Sequence, residues 1–204
     1  MGLFGSSRKY EILPDVITLD DPRRSKPVEL HQIRALRNVG STVRKGDYGG
    51  LIESESNLSQ DGECWVCMDA IVWGNARIYE NAFIGGNLGR CDMGLEGCEM
   101  WGRVNICDNA QVYGNALVAA GSRVKEYGKV YGNATVFMTG EVSGNAQVHE
   151  NGSVSLGGKV KDNARVFENG TVTDLAVVSG DACVLGNATI QGKGTSISSG
   201  RHRS

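Results

Sequence analysis

Along the second half of the chain an aliphatic residue returns at every sixth position without a miss, from Ile106, Val112 and Val118 through to Val178, Val184 and Ile190. Four places after each of these fifteen stands a small residue, from Ala110, Ala116 and Ser122 through to Ala182, Ala188 and Gly194. A helix repeats its apolar positions at three and four, so a period of six excludes one, and the Val/Ile choice suits a pleated, half-buried strand. Asn or Asp precedes most of the small residues, often after Gly, as in Gly114-Asn115-Ala116 and Gly144-Asn145-Ala146. Gly and Asn tolerate positive φ at low cost, so each hexad predicts a short strand followed by a corner.

A period of eighteen overlies the first. The hexads VYGNAL, VYGNAT, VHENGS, VFENGT and VLGNAT, starting at 112, 130, 148, 166 and 184, form one set distinct from the two between them. Three hexads then complete one turn of a triangular coil with flat faces. Coils stack about 4.8 Å apart, inward Val on inward Val, with Asn able to ladder along a corner. The pattern also appears earlier, from Val66, Val72, Ile78 and Ile84, in a different phase. Between the two blocks an irregular segment near 88–100, with Cys91 inside Gly89 to Gly97, reads as a loop leaving the coil, and the register across it stays open.

The predicted organisation is all-β: a flexible N-terminus over 1–9, an N-terminal cap over 10–62, a single-stranded β-helix over 63–195 and a flexible Gly/Ser-rich tail over 196–204. Residues 10 to 60 lack the hexad but carry strand-like runs at Tyr10 to Leu13, Val16 to Leu19 and Val28 to Leu36, and Gly46 to Gly50 reads as a tight turn. A solenoid's open end exposes unpaired backbone, so a cap answers a physical need.

Composition narrows the functional classes. Twenty-one Lys plus Arg against 23 Asp plus Glu give a formal charge of −2, without the basic excess of a general nucleic-acid binder, so no nucleic-acid partner is expected. No stretch approaches about 18 consecutive apolar residues and the start has no long apolar region, so the expectation is a cytoplasmic protein without a membrane partner. Of six cysteines, Cys64 and Cys67 have ligand-like spacing, but in the hexad register one points inward and the other outward. They read as reduced structural thiols, and no metal is expected.

The hexads resemble those of the hexapeptide-repeat, left-handed β-helix superfamily, best known from trimeric acyltransferases. A narrower likeness, carried by Glu29-Leu30-His31-Gln32-Ile33-Arg34, by Val43-Arg44-Lys45-Gly46-Asp47-Tyr48-Gly49-Gly50-Leu51-Ile52-Glu53 and by Leu58 to Val66, is to the cap of the bacterial YdcK-like proteins. The resemblance implies a left-handed coil and, nominally, a transferase using acyl-CoA and a His base. Of the three histidines, His31 lies in the cap, His202 in the tail, and only His149, beside Glu150, sits on the coil. His149 is thus the one weak catalytic candidate; a stripe reading explains it more simply.

Tyr113, Tyr131, His149, Phe167 and Leu185 fall one coil apart at one outward position and are expected to stack on a single face. Exposed apolar surface of that length marks an interface, so the stripe predicts homo-oligomerisation, with a trimer implied by the superfamily; packing of the cap on this face is the structural alternative. Lys125, Lys161 and Arg165 read as a solvated charged face. Two classes of function follow. One is a non-enzymatic scaffold or binding protein, needing no cofactor, that self-associates or meets another protein partner; the other is an acyl-CoA-dependent acyltransferase.

Overall fold

In the computed structural model, which describes residues 8–85 and 104–204, the chain opens with three long strands and then winds a coil of about eight turns. Strands β1 (Tyr10–Leu19) and β2 (Val28–Ala35) form an antiparallel hairpin, and β2 pairs antiparallel with β3 (Tyr48–Ile52). From β3 onward all strand pairing is parallel, each strand lying on the one a turn earlier.

Three faces result. A charged face continues β3 through β5 (Ala70–Val72), β8 (Val104–Ile106), β11 (Arg123–Val124), β14 (Glu141–Val142), β17 (Lys159–Val160), β20 (Val177–Val178) and β23 (Ser196–Ile197). A hydroxyl face holds β4 (Trp65–Val66), β7 (Phe83–Ile84), β10 (Leu117–Val118), β13 (Thr135–Val136), β16 (Ser153–Val154), β19 (Thr171–Val172) and β22 (Thr189–Ile190). An aromatic face holds β6 (Arg77–Ile78), β9 (Gln111–Val112), β12 (Lys129–Val130), β15 (Gln147–Val148), β18 (Arg165–Val166), β21 (Cys183–Leu185) and β24 (Arg201–Arg203). The hexad valines from Val112 to Val184 are fully buried and stack coil on coil, as the period of six requires.

Pairing settles the register that the sequence left open. Val72 lies on Ile106 and Ile78 on Val112, 34 residues apart where a plain turn takes 18, so sixteen extra residues enter between β7 and β8. The segment 88–100 and its Cys91 lie outside the described residues. At the other end, 196–204, read as a flexible tail, carry β23 and β24. Ile197 pairs with Val178 and His202 with Val184, so a seven-residue step followed by a five-residue one keeps inward residues in line after the hexad lapses. At the near end the first turn is laid by β3 and by Leu58 bridging to Ile78, both within the stretch read as cap, and by β4 just after it.

The corners work differently from the sequence expectation. On the corners after the charged and aromatic faces, the residue in left-handed backbone is the second after the inward aliphatic, the one before Asn except where Tyr127 or Asp181 takes that place: glycine, or an acid such as Glu80, Asp108, Glu126, Glu150, Asp162 or Glu168, the acids having φ between 54° and 62°. A left-handed non-glycine residue costs about 1–2 kcal/mol. Each of these acids turns a carboxylate oxygen onto the backbone N–H at the same corner one coil later: Glu126 accepts from Gly144 at 2.6 Å, Asp162 from Gly180 at 3.0 Å and Glu168 from Gly186 at 2.8 Å. A charge-assisted bond of this kind offsets the strain. Asn, freed from the backbone role, builds the ladder, Asn81 Nδ2 donating to Asn115 Oδ1 and so on through Asn133, Asn151 and Asn169 to Asn187 at 3.1–3.3 Å.

The glycines expected to make a turn lie inside β3 instead. A Cβ on Gly50 would sit 2.3 Å from the Cys67 carbonyl oxygen and 2.4 Å from that of Ala70, and one on Gly49 2.5 Å from Ile33. Bare backbone is what lets β3 lie flush against the first coil, while Gly46, at φ 95°, takes the turn. Tyr10 closes the end, its hydroxyl donating to the Leu58 carbonyl at 2.6 Å, and Lys9 is fully buried with Nζ donating to the Asp61 carbonyl at 3.1 Å and 3.0 Å from Cys64 Sγ.

Candidate functional site: the aromatic face

Each coil contributes two outward residues to this face, one on either side of the inward valine, because side chains alternate along a strand. The residue after the valine gives the aromatic column. Tyr113 and Tyr131 stack with ring centroids 4.9 Å apart and planes within 2°, Tyr131 and His149 at 4.9 Å, His149 and Phe167 at 5.1 Å. Tyr79 extends the stack by one coil, 4.7 Å from Tyr113. Sequence reasoning missed it because the insertion shifts the phase; the hexad IYENAF beside VYGNAL was the available signal. Leu185 follows in register but is only 3 % exposed, paired in the ladder with Arg203 of the last coil.

Stacking changes what the column presents. Ring planes face one another along the rod, so only ring edges, phenol hydroxyls and the His149 nitrogens meet solvent, and the ring residues are half-buried. Burial pushes the phenols of Tyr79, Tyr113 and Tyr131 above their ordinary range, and Tyr131 donates to Gln147 Oε1 at 3.1 Å. His149 is held below its usual pKa by burial, with Arg165 adding to the depression and Glu150, 3.6 Å from Nδ1, opposing it. Its side chain is 16 % exposed and sandwiched between Tyr131 and Phe167.

The residue before the valine gives a second column, in ladder register Arg77, Gln111, Lys129, Gln147, Arg165, Cys183 and Arg201. Cation alternates with amide down to Arg165, and Cys183 takes the last interval. Arg165 therefore belongs beside the aromatic column and not with Lys125 and Lys161. Among the described residues, Arg77, Lys129, Arg165 and Arg201 form no ion pair.

Several cations elsewhere are committed to carboxylates. On the charged face Lys125 pairs with Glu141 at 2.9 Å, and Lys159 approaches the same carboxylate at 3.9 Å. Burial alone would raise the Glu141 pKa, yet the Lys125 hydrogen bond and the charges of Lys125, Lys159 and Arg123 hold it below the usual range. In the open cleft beside the cap, lined by Arg23, Arg24, Lys26, His31 and Glu53, Arg23 binds Asp21 and Asp108 and Arg24 binds Glu53. Cys64 and Cys67 are both buried, although Cys67 holds an outward phase, and among the described residues no three His, Cys, Asp or Glu gather as a metal site. No described helix is long and apolar enough to cross a membrane.

A rod of parallel three-sided coils with one face of ordered rings and free cations defines a β-solenoid repeat protein. Residues 110–126 match the family model of the YdcK β-solenoid repeat, and the chain is similar to that family in fold and repeat. No curated protein matches the chain.

Proposed function

We propose that this protein is a non-catalytic binding rod whose aromatic face receives an extended, negatively charged partner. One observation carries the reading: Arg77, Lys129, Arg165 and Arg201 stand in ladder register on one face with no ion pair among the described residues, whereas Lys125, Lys159, Arg23 and Arg24 on other surfaces are held by carboxylates, in a chain of net charge −2. Unpaired cations fixed along a rigid ladder form a field of one sign, which steers and holds an opposite charge. Transfer chemistry has less support: the His149 nitrogens meet solvent at the ring edge with Glu150 3.6 Å from Nδ1, but the open cleft beside the cap is lined by other residues and does not include His149.

The test is titration calorimetry at low salt with poly-L-glutamate, on wild type, on Lys129→Gln/Arg165→Gln and on the control Lys125→Gln/Lys159→Gln. The aromatic-face pair should lose binding by about tenfold or more and the control by little, with wild-type affinity falling as salt rises. Absence of wild-type binding at low salt to poly-L-glutamate and to an acidic polysaccharide alike sinks the reading.

Self-association through the stripe is the second reading, favoured by a ring stack that runs without a break over five coils. Like charges would then meet face to face, which works against it. Light scattering on wild type and on Tyr131→Asp/Phe167→Asp decides: a trimer that becomes a folded monomer establishes the stripe as the subunit contact. Acetyl-CoA in the same calorimeter tests the acyltransferase alternative.

A further inference from the structure

Resting on the binding-rod reading, we propose that the partner of the aromatic face is a linear acidic polysaccharide in which charged and neutral sugars alternate. Arg77, Lys129, Arg165 and Arg201 stand on every second coil, so successive cations are about 10 Å apart at the usual strand spacing. Between them stand Gln111 and Gln147, neutral groups that both donate and accept. A polymer bearing a carboxylate on every other unit meets a guanidinium or ammonium at each acidic sugar and an amide at the first two neutral ones, the third lying over Cys183. The flanks suit the same ligand. The Asn75–Asn109 and Asn145–Asn163 contacts border the cation column with amides, the second run ending on Asp181, and the stacked tyrosines offer phenol hydroxyls along the other side.

The other extended polyanions fit less well. A nucleic-acid single strand carries a phosphate on every nucleotide and is held by base stacking on open ring faces. Here the charges are too sparse and the ring faces are occupied by one another. An extended peptide adds to a sheet edge through backbone hydrogen bonds, but the backbone of these strands is already paired coil to coil, as in Tyr131 N–H to Val148 and His149 N–H to Val166. A helical peptide needs an apolar groove, and this face is flat and lined by charge and amide.

The probe is hyaluronan, which alternates a carboxylated and a neutral sugar, as oligosaccharides of increasing even length titrated into the full chain by calorimetry. Poly-L-glutamate and neutral dextran serve as comparators. Affinity should climb several-fold with each added pair of sugars and level off when the ligand spans the column, about 29 Å from Arg77 to Arg201. Lys129→Gln/Arg165→Gln should cost tenfold or more and Lys125→Gln/Lys159→Gln little, with circular dichroism confirming that both fold. Binding of poly-L-glutamate without hyaluronan overturns the polysaccharide while the binding-rod reading stands. Binding of neither overturns both. Hyaluronan affinity that is equal in the two variants, or matched by dextran, places the ligand elsewhere and overturns the proposal.

Discussion

The capped end and the repeating coil solve the same problem, covering apolar surface, by opposite means. At the cap each contact is made once: Gly50 under the Cys67 and Ala70 carbonyls, Tyr10 onto Leu58, Lys9 sealed beside Cys64, Asn57 donating to the carbonyls of Gly74 and Ala76. In the coil the devices recur along the rod, so each inward valine has a copy one coil above and below, and the left-handed corner, held by glycine or by an acid, and its Asn ladder repeat from turn to turn. Stability in the cap is therefore concentrated in single residues, and in the coil it is spread over nearest-neighbour interfaces.

Alanine at two glycines breaks the comparison most sharply. In Gly50→Ala the new Cβ meets backbone oxygens on two sides, and neither can withdraw without lifting β3 off the coil. A loss of about 3 kcal/mol or more is expected, read by denaturant melts followed through Trp65 and Trp73, which lie in the first turns. In Gly128→Ala the Cβ would lie 3.1 Å from the carbonyls of Lys125 and Val142, at a place where the neighbouring coils hold Ala110 and Ala146. The cost there should stay under about 1 kcal/mol. Comparable losses at the two sites would mean that the cap is no more singular than the coil.

A corner acid gives an intermediate effect and tests the strain argument within the coil. Glu126→Ala keeps the left-handed backbone and removes the acceptor for Gly144 N–H, so about 1–2 kcal/mol should be lost. Glu126→Gly removes the same acceptor but relieves the strain and should lose less. If alanine proves the milder replacement, the carboxylate does not compensate backbone strain.

The same contrast explains what the sequence made legible. Three faces, the inward valines and the Asn ladder were readable because the hexad recurs fifteen times at a fixed period, five times on each face, and so states its rule repeatedly. The stripe was readable for Tyr113 to Phe167, and its facing partner column was not, because Arg165 was assigned to the wrong face. Tyr79 was lost to a sixteen-residue shift of phase, and the strands after Ile190 to steps of seven and five. The roles of Gly49 and Gly50 depend on one close approach between distant segments, which leaves no period to read. Whether a cation has a partner is likewise a fact of three dimensions: Lys125 and Arg165 look alike as letters, and only the ladder puts Glu141 beside one and an open column beside the other.

The smallest effect separates His149 from the valines it neighbours. Burial and Arg165 lower its pKa in the folded chain, against the pull of Glu150, so the unfolded chain takes up the proton first as pH falls. Stability is then full above the ordinary histidine value of about 6.5 and drains away as pH drops from there toward the lower folded value. His149→Phe keeps a ring between Tyr131 and Phe167 and removes the titrating group, so between pH 7.5 and 5.5 its denaturation midpoint should shift less than that of wild type. The difference should be under about 1 kcal/mol, and because the carboxylates titrate alike in both proteins, subtracting one profile from the other isolates the imidazole. A wild-type profile no steeper than the variant's would show that the ring stack carries the protonated imidazole without penalty. The stack would then be held by ring contact alone, with its charge state free to follow whatever anion lies along the neighbouring column.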